Sequence, residues 1–161
     1  MKNTMTRTLT LILALLTILS TLALVSCGGG SSEGYVFKVG SVTLLAGGSA
    51  DVVANLGTPI SCEESASCGG IPGTDKLYVF NGYRVKTTPG HDGDVIAMIE
   101  LTNDSLKTPE GLTIGSTRDQ VTKALGTGEA MGENLVYKKG DMKLQILFRG
   151  DAVINIQYVK A

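Results

Sequence analysis

A single histidine limits the catalytic and metal-binding chemistry that this sequence offers. His91 is the single histidine, and it lies in the segment Thr88-Pro89-Gly90-His91-Asp92-Gly93-Asp94. His91, Asp92 and Asp94 supply an imidazole and two carboxylates, which divalent metals accept as ligands. The proline and glycines around them are also typical of a polar hairpin loop, and we favour that interpretation. We therefore predict neither a metal site nor a cofactor.

A hydrolase would need a nucleophile activated by a neighbouring base, and His91 is the one imidazole that could act as that base. No Gly-x-Ser-x-Gly nucleophile elbow occurs in the sequence. Arg149-Gly150-Asp151 is a tripeptide that adhesion receptors bind, but between two strand-like runs it predicts a turn. The sequence therefore favours a protein that is not an enzyme, and a secreted hydrolase of unknown substrate is the alternative.

The N-terminal residues have the pattern of a bacterial secretory signal. Residues 1–8 carry two basic side chains and no acid, and residues 9–25 are apolar apart from a few hydroxyl groups. The motif Leu24-Val25-Ser26-Cys27 resembles the bacterial lipobox, in which the cysteine thiol receives a diacylglycerol. We predict a signal peptide over residues 1–26 and lipidation of Cys27. An uncleaved transmembrane helix is the alternative, at the short limit of spanning length.

The residues after Cys27 are typical of a flexible tether. Residues 28–34 read GGGSSEG, with no apolar side chain to bury, and such a segment has a reach of about 15 Å. Two acyl chains on one cysteine anchor a protein stably, whereas a single chain binds marginally. We expect residues 27–34 to hold a folded body at the cell membrane, on its extracytoplasmic side.

Cys62 and Cys68 form an even pair in a chain that is predicted to leave the cytosol. Disulfides form and persist outside the cytosol, so a Cys62–Cys68 bridge is the favoured interpretation. Free thiols in an anaerobic host, or a metal or redox pair, are the alternatives. The spacing is not C-x-x-C and no histidine is near.

The charge of the chain limits its partners. The formal net charge is −1 at pH 7 and the sequence contains no cluster of lysine and arginine. Nucleic acids and anionic lipid head groups bind through such clusters. We expect no nucleic-acid partner, attachment to the membrane through the lipid on Cys27, and a protein partner of unknown identity.

Two parts of the sequence have similar patterns. Residues 49–57 and 117–126 each predict a short helix that ends at a glycine. Ser49 and Ser116 are the predicted N-caps, and Ser116 with Asp119 resembles a capping box. Each segment has two apolar residues four positions apart, Val52 with Leu56 and Val121 with Leu125. Each pair predicts one buried helix face.

Strand-like segments follow each predicted helix. They are residues 76–80, 83–87, 134–138, 142–148 and 152–159. Asn81-Gly82 lies between the first two and is the strongest short hairpin signal. We predict an α+β fold of two tandem copies, residues 35–104 and 105–161, each with a short helix packed on one face of an antiparallel β-meander.

Several segments resemble known lipoproteins. Ser67-Cys68-Gly69, residues 75–80, 99–104 and 108–117 look like a lipoprotein family of clostridial-type Firmicutes. More distantly, residues 114–126 are similar to the repeat shared by the β-lactamase-inhibitor protein and small outer-membrane-assembly lipoproteins. The resemblance implies helices packed on an antiparallel sheet whose exposed face or loops bind proteins, with no catalytic residues.

The aromatic side chains all fall in strand-like segments. Most of them should lie in the core or in cross-strand pairs. Tyrosine is favoured at protein interfaces, so an exposed subset of Tyr78, Tyr83 and Tyr137 on one sheet face would be the best binding surface that the sequence offers. The sequence as a whole predicts a lipid-anchored extracytoplasmic binding module whose ligand, a protein, contacts the sheet face or its loops.

Overall fold

The computed structural model describes residues 34–161, and strands make up most of its regular structure. The strands are β1 (Phe37–Val39), β2 (Val42–Leu44), β3 (Ser61–Ala66), β4 (Thr74–Phe80), β5 (Tyr83–Thr88), β6 (Val95–Leu101), β7 (Glu129–Met131), β8 (Asn134–Lys139), β9 (Met142–Arg149) and β10 (Ala152–Lys160). A 3₁₀ helix (Ala50–Leu56) precedes β3, and an α-helix, α1 (Arg118–Leu125), precedes β7.

Eight of these strands form one antiparallel sheet. Its order is β3-β4-β5-β6-β10-β9-β8-β7, and β1 pairs with β2 in a separate hairpin. The pairing of β6 with β10 places Glu100 opposite Gln157 and Ile99 opposite Tyr158. This pair joins the four strands from residues 61–101 to the four strands from residues 129–160, so the sheet is continuous.

The predicted α+β fold of two tandem helix-and-meander copies is therefore wrong. The structure is mostly β, and the helices in its described part have only 7 and 8 residues. Separate meanders would each have left two edge strands with unpaired backbone groups. Pairing β6 with β10 satisfies one edge of each set, which explains why a single sheet forms.

The predicted strand positions are confirmed. β4 and β5 flank Asn81-Gly82 with Phe80 opposite Tyr83, which is the register of a two-residue hairpin. Gly82 has a φ of +88°, a conformation that a side chain would strain. Local turn chemistry therefore determined this hairpin.

The cap of α1 is one residue later than predicted. The Thr117 hydroxyl accepts a hydrogen bond from Gln120 N at 3.2 Å, and Gln120 Oε1 accepts one from Thr117 N at 2.8 Å. This is a reciprocal capping box. Ser116 instead accepts a hydrogen bond from Thr113 N at 3.0 Å, so the predicted Ser116 and Asp119 box is wrong.

The core lies on one face of the sheet, under the β1–β2 hairpin and the two helices. Phe37 and Tyr158 are fully buried there with their ring centroids 5.6 Å apart. Val121 of α1 is fully buried and Val53 of the 3₁₀ helix is 6% exposed, whereas Val52 and Leu125 are partly buried. Within residues 34–161 no helix is long and apolar enough to cross a membrane.

Candidate functional site

The tyrosines predicted to form a binding surface lie on the core face of the sheet. Tyr83 and Tyr137 are 4% and 5% exposed, and burial raises the pKa of both phenols. Tyr137 donates a hydrogen bond to Gly126 O at 3.3 Å. Tyr78 is half-buried beside the 3₁₀ helix. The predicted tyrosine surface is therefore wrong.

The loop that contains His91 connects two strands and is held by an ion pair. His91 and Asp92 are exposed, while Asp94 forms an ion pair with Lys76 at 3.4 Å. In the described part of the chain, no group of three or more His, Cys, Asp or Glu side chains is arranged to hold a metal ion. The loop connects β5 to β6 and is anchored to β4 by the Lys76 ammonium.

The Arg149-Gly150-Asp151 turn is used to hold α1 on the sheet. Asp151 Oδ1 accepts a hydrogen bond from Arg118 N at 3.3 Å, and Arg118 Nε donates to Gly150 O at 3.2 Å. The Arg118 guanidinium also lies 4.1 Å from the centroid of the Phe148 ring. These contacts give the tripeptide a role in the fold.

Cys62 and Cys68 are both free and exposed in the structure. Cys62 lies in β3, and the strand pairing continues to Ser67, whose N–H donates to Gly73 O at 3.0 Å. Five extended residues span about 16 Å, so Cys68 lies far beyond the Cα separation of about 7 Å that a disulfide permits. The expected bridge is absent from this arrangement. Cys27 lies outside the described residues.

The face of the sheet opposite the core is partly exposed to solvent. We call it the open face and define it by two rows of side chains that cross the strands. The rows are Ser61, Val79, Arg84, Glu100, Gln157, Gln145, Val136 and Glu129, and Glu63, Leu77, Lys86, Met98, Val159, Lys143 and Lys138. Apart from Val136, which is 3% exposed, none of these residues is buried, and none belongs to the connected hydrophobic core cluster.

A hydrogen-bonded cluster stands at the centre of the open face. Glu100 Oε1 accepts hydrogen bonds from Asn155 Nδ2 at 2.5 Å and Gln157 Nε2 at 3.2 Å. Glu100 Oε2 lies 3.5 Å from Arg84 Nη1. The Glu100 side chain is 12% exposed while that of Arg84 is 46% exposed. The cluster therefore fixes a carboxylate in the sheet and presents a guanidinium to the surface.

Cross-strand ion pairs neutralise the other charges nearby. Lys86 lies 2.9 Å from Asp75, and Lys138 lies 2.9 Å from Glu129. Hydrogen bonds from Lys86, Thr88 and Ser67 lower the pKa of the Asp75 carboxyl. Three of the four bases in these rows are thus paired with acids, whereas Lys143, which lies opposite Lys138, is in none of the ion pairs within residues 34–161.

Aliphatic side chains lie between these ion pairs. Leu77, Met98 and Val159 are half-buried, and Val136 is 3% exposed. Leu147, two residues after Gln145 in β9, lies on the same face and is also half-buried. No aromatic residue is on the open face. This surface was not among the sequence predictions, although the alternation of Arg84 and Lys86 with Tyr83 and Val85 was a signal of it, since alternate strand residues share a face.

A groove lies elsewhere, between the loop after β6 and α1. It has a volume of about 830 Å³, and Asp104, Lys107, Glu110 and Lys123 are among its lining residues. Its lining contains no histidine or cysteine, and its serine and threonine residues, Thr113 and Ser116, are used in hydrogen bonds of the loop. The groove therefore lacks a nucleophile paired with a base.

No protein-family model matches the chain, and no curated protein matches it. A crystal structure of a DUF4309 family protein, YjgB from Bacillus subtilis, is similar, with a TM-score of 0.47 and 16% sequence identity over 81% of this chain and 90% of that one. The resemblance to lipoproteins and to the β-lactamase-inhibitor protein stays a prediction.

Proposed function

We propose that this protein is a lipid-anchored extracytoplasmic module that binds another protein through the open face of its sheet. The observation that supports this proposal is an eight-stranded sheet with one face that lies outside the connected hydrophobic core and, apart from Val136, is partly or fully exposed. Antiparallel sheets often leave one face to solvent, and that face is then usually polar. Here it carries Leu77, Met98, Val159 and Leu147 between its ion pairs.

The chemistry of the open face suits a protein better than other classes of ligand. Stacking of sugars or bases needs exposed aromatic rings, and the face has none. Nucleic acids and anionic lipids need a positive surface, whereas ion pairs such as Arg84 with Glu100 neutralise this one. A broad mixture of aliphatic and paired polar groups is the usual composition of a protein interface.

Site-specific photo-crosslinking in the native envelope tests the binding surface. A photoreactive residue at Gln145, on the open face, should form a discrete crosslinked product, whereas one at Lys123, exposed on α1, should not. Leu147→Arg should abolish the product while leaving the melting temperature near that of the parent. Equal products from both positions would refute the open face as the binding site.

The anchor is tested separately by Cys27→Ala. This variant should leave the membrane fraction or accumulate as an unprocessed precursor. Membrane attachment with an unchanged mature mass would refute lipidation at Cys27, without affecting the result for the open face.

A further inference from the structure

The edge strand β3 is the second unpartnered feature of the sheet. It has six residues, and every one of its side chains is exposed. Its one hydrogen-bonded neighbour among the described strands is β4, so the other side of its backbone faces outward. Such an edge is a template for pairing with a further strand.

The register identifies the backbone groups that point outward. Ser67 N donates to Gly73 O, which continues the β3–β4 register. Because hydrogen-bonding direction alternates along an antiparallel strand, Ser61, Glu63 and Ser65 bond to β4. Residues 62, 64 and 66 therefore direct their N–H and C=O groups to the free edge. The Cys68 thiol approaches Ala66 O on that side, at 4.0 Å.

Charge determines which strand could occupy this edge. Glu63 lies on the open face and Glu64 on the opposite face, so both sides of the edge are acidic. The other free edge, β7, begins with Glu129. Pairing of β3 with a second β3, or with β7, would bring acids together, and like charges on paired strands are destabilising. The edge therefore does not match a second copy of this chain.

Apolar surface adjoins the same edge. Ile60, immediately before β3, is 72% exposed. Cys62 lies opposite Tyr78, which lines a cavity of about 520 Å³ beside the 3₁₀ helix together with Pro59 and Phe80. A strand added next to β3 would place one of its side chains near this opening.

We propose that β3 accepts an extended segment of a partner protein as a ninth strand, and that this segment carries two adjacent basic residues opposite Glu63 and Glu64. Backbone hydrogen bonds to residues 62, 64 and 66 provide the affinity, and the two salt bridges, one on each face, select the sequence. An apolar residue near the basic pair contacts the Tyr78 cavity. The inference rests on the proposed function in that the partner is a protein, but it uses a different surface.

The test is a fluorescence anisotropy titration of the full chain in detergent with two labelled peptides. One peptide alternates threonine and valine around a central Lys-Lys pair, and the other has Glu-Glu at the same place. The Lys-Lys peptide should bind roughly tenfold or more tightly than the Glu-Glu peptide, with an affinity that falls as salt rises. Equal binding of both peptides, or binding of neither, overturns the proposal.

Two variants separate the backbone contribution from the charge contribution. Ala66→Pro removes an outward N–H and leaves the β4 hydrogen bonds intact, because proline is tolerated where a strand edge faces solvent; it should weaken binding of the Lys-Lys peptide roughly tenfold. The double variant Glu63→Lys with Glu64→Lys should reverse the preference between the peptides, and it decides the question if Ala66→Pro does not fold. An unchanged preference in the double variant overturns the proposal.

A control on the open face distinguishes this proposal from the proposed function. Leu147→Arg should leave binding of the Lys-Lys peptide unchanged, since Leu147 lies on β9, far from β3 in the strand order. If the peptide fails to bind while crosslinking from Gln145 still depends on Leu147, the edge proposal is wrong and the open face stands. If both fail, neither surface binds a protein.

Discussion

Glu100 and Gln157 lie opposite each other where β6 meets β10, and the Gln157 amide donates to Glu100 Oε1 at 3.2 Å. The same carboxylate oxygen accepts from Asn155. This strand pair is the only hydrogen-bonded connection between the two sets of four strands within the described sheet. The cluster therefore stabilises the pairing that makes the sheet continuous.

We predict that Glu100→Ala destabilises the protein by about 1–3 kcal/mol, because it leaves two partly buried amides without their acceptor. Urea unfolding of the chain lacking residues 1–27 measures this change. Arg84→Ala is the matched control, and it should cost less than about 1 kcal/mol, because the guanidinium is 46% exposed and exposed ion pairs contribute little. Equal losses of unfolding free energy in the two variants would show that the Asn155 and Gln157 amides do not need Glu100 as their hydrogen-bond acceptor.

The helix face of α1 gives a second prediction. Val121 is fully buried and Leu125 is only partly buried. Val121→Ala should therefore cost about 1–3 kcal/mol, and Leu125→Ala should cost no more than Val121→Ala, although leucine is the larger residue. Lys123→Ala, on the exposed side, should stay within about 0.5 kcal/mol of the parent. Denaturant melts in which Leu125→Ala loses much more unfolding free energy than Val121→Ala would contradict this packing.

Five strands, β4, β5, β8, β9 and β10, were predictable from sequence because their signals are local. The alternation of side chains and the Asn81-Gly82 turn gave β4 and β5, and similar patterns gave β8, β9 and β10. The pairing of β6 with β10 was not predictable, because Glu100 and Gln157 are distant in sequence and many antiparallel registers satisfy the same alternation. Because each half of the sequence also contains a short helix pattern, the sequence predicted two separate helix-and-meander copies.

The binding surface was mispredicted for a related reason. Exposed tyrosines are good interface residues, but residue type does not show which face of a sheet is covered. Tyr83 shares its face with Val85, which is fully buried, whereas Arg84 points to the other side. The alternation along β5 carried this information. The polar cluster around Glu100 needs a strand partner that sequence alone does not identify.

Acid pH should weaken the β4–β5 pair through Asp75. Its carboxyl accepts a hydrogen bond from Thr88 at 2.7 Å and pairs with Lys86 at 2.9 Å, and hydrogen bonding, chiefly from Lys86, lowers its pKa from the ordinary 3.8. A carboxyl whose pKa is lower in the folded state stabilises the fold above its ordinary pKa. That stabilisation is lost as the pH falls through the lowered value.

Urea melts from neutral pH down to about pH 2 should therefore show that Asp75→Asn is less stable than the parent at neutral pH. The difference should shrink below an ordinary aspartate pKa of 3.8. Asp92→Asn, in the exposed β5–β6 loop, is the control and should follow the parent throughout. A constant difference between Asp75→Asn and the parent at every pH would exclude the Lys86 and Thr88 contacts as its cause.

A disulfide between Cys62 and Cys68 should be incompatible with the pairing of β3. Cys62 and Cys68 are free and exposed, so both should alkylate fully without reductant, as intact mass will show. Forcing a bridge with an oxidant must bring their Cα atoms within about 7 Å, which extended β3 does not allow. The β3–β4 hydrogen bonds must then break, and hydrogen exchange at Leu77, which pairs with Glu63, should accelerate. Cys62→Ser, which cannot form the bridge, should abolish that acceleration. A bridged protein in which the Leu77 amide stays protected from exchange would show that β3 does not have this register.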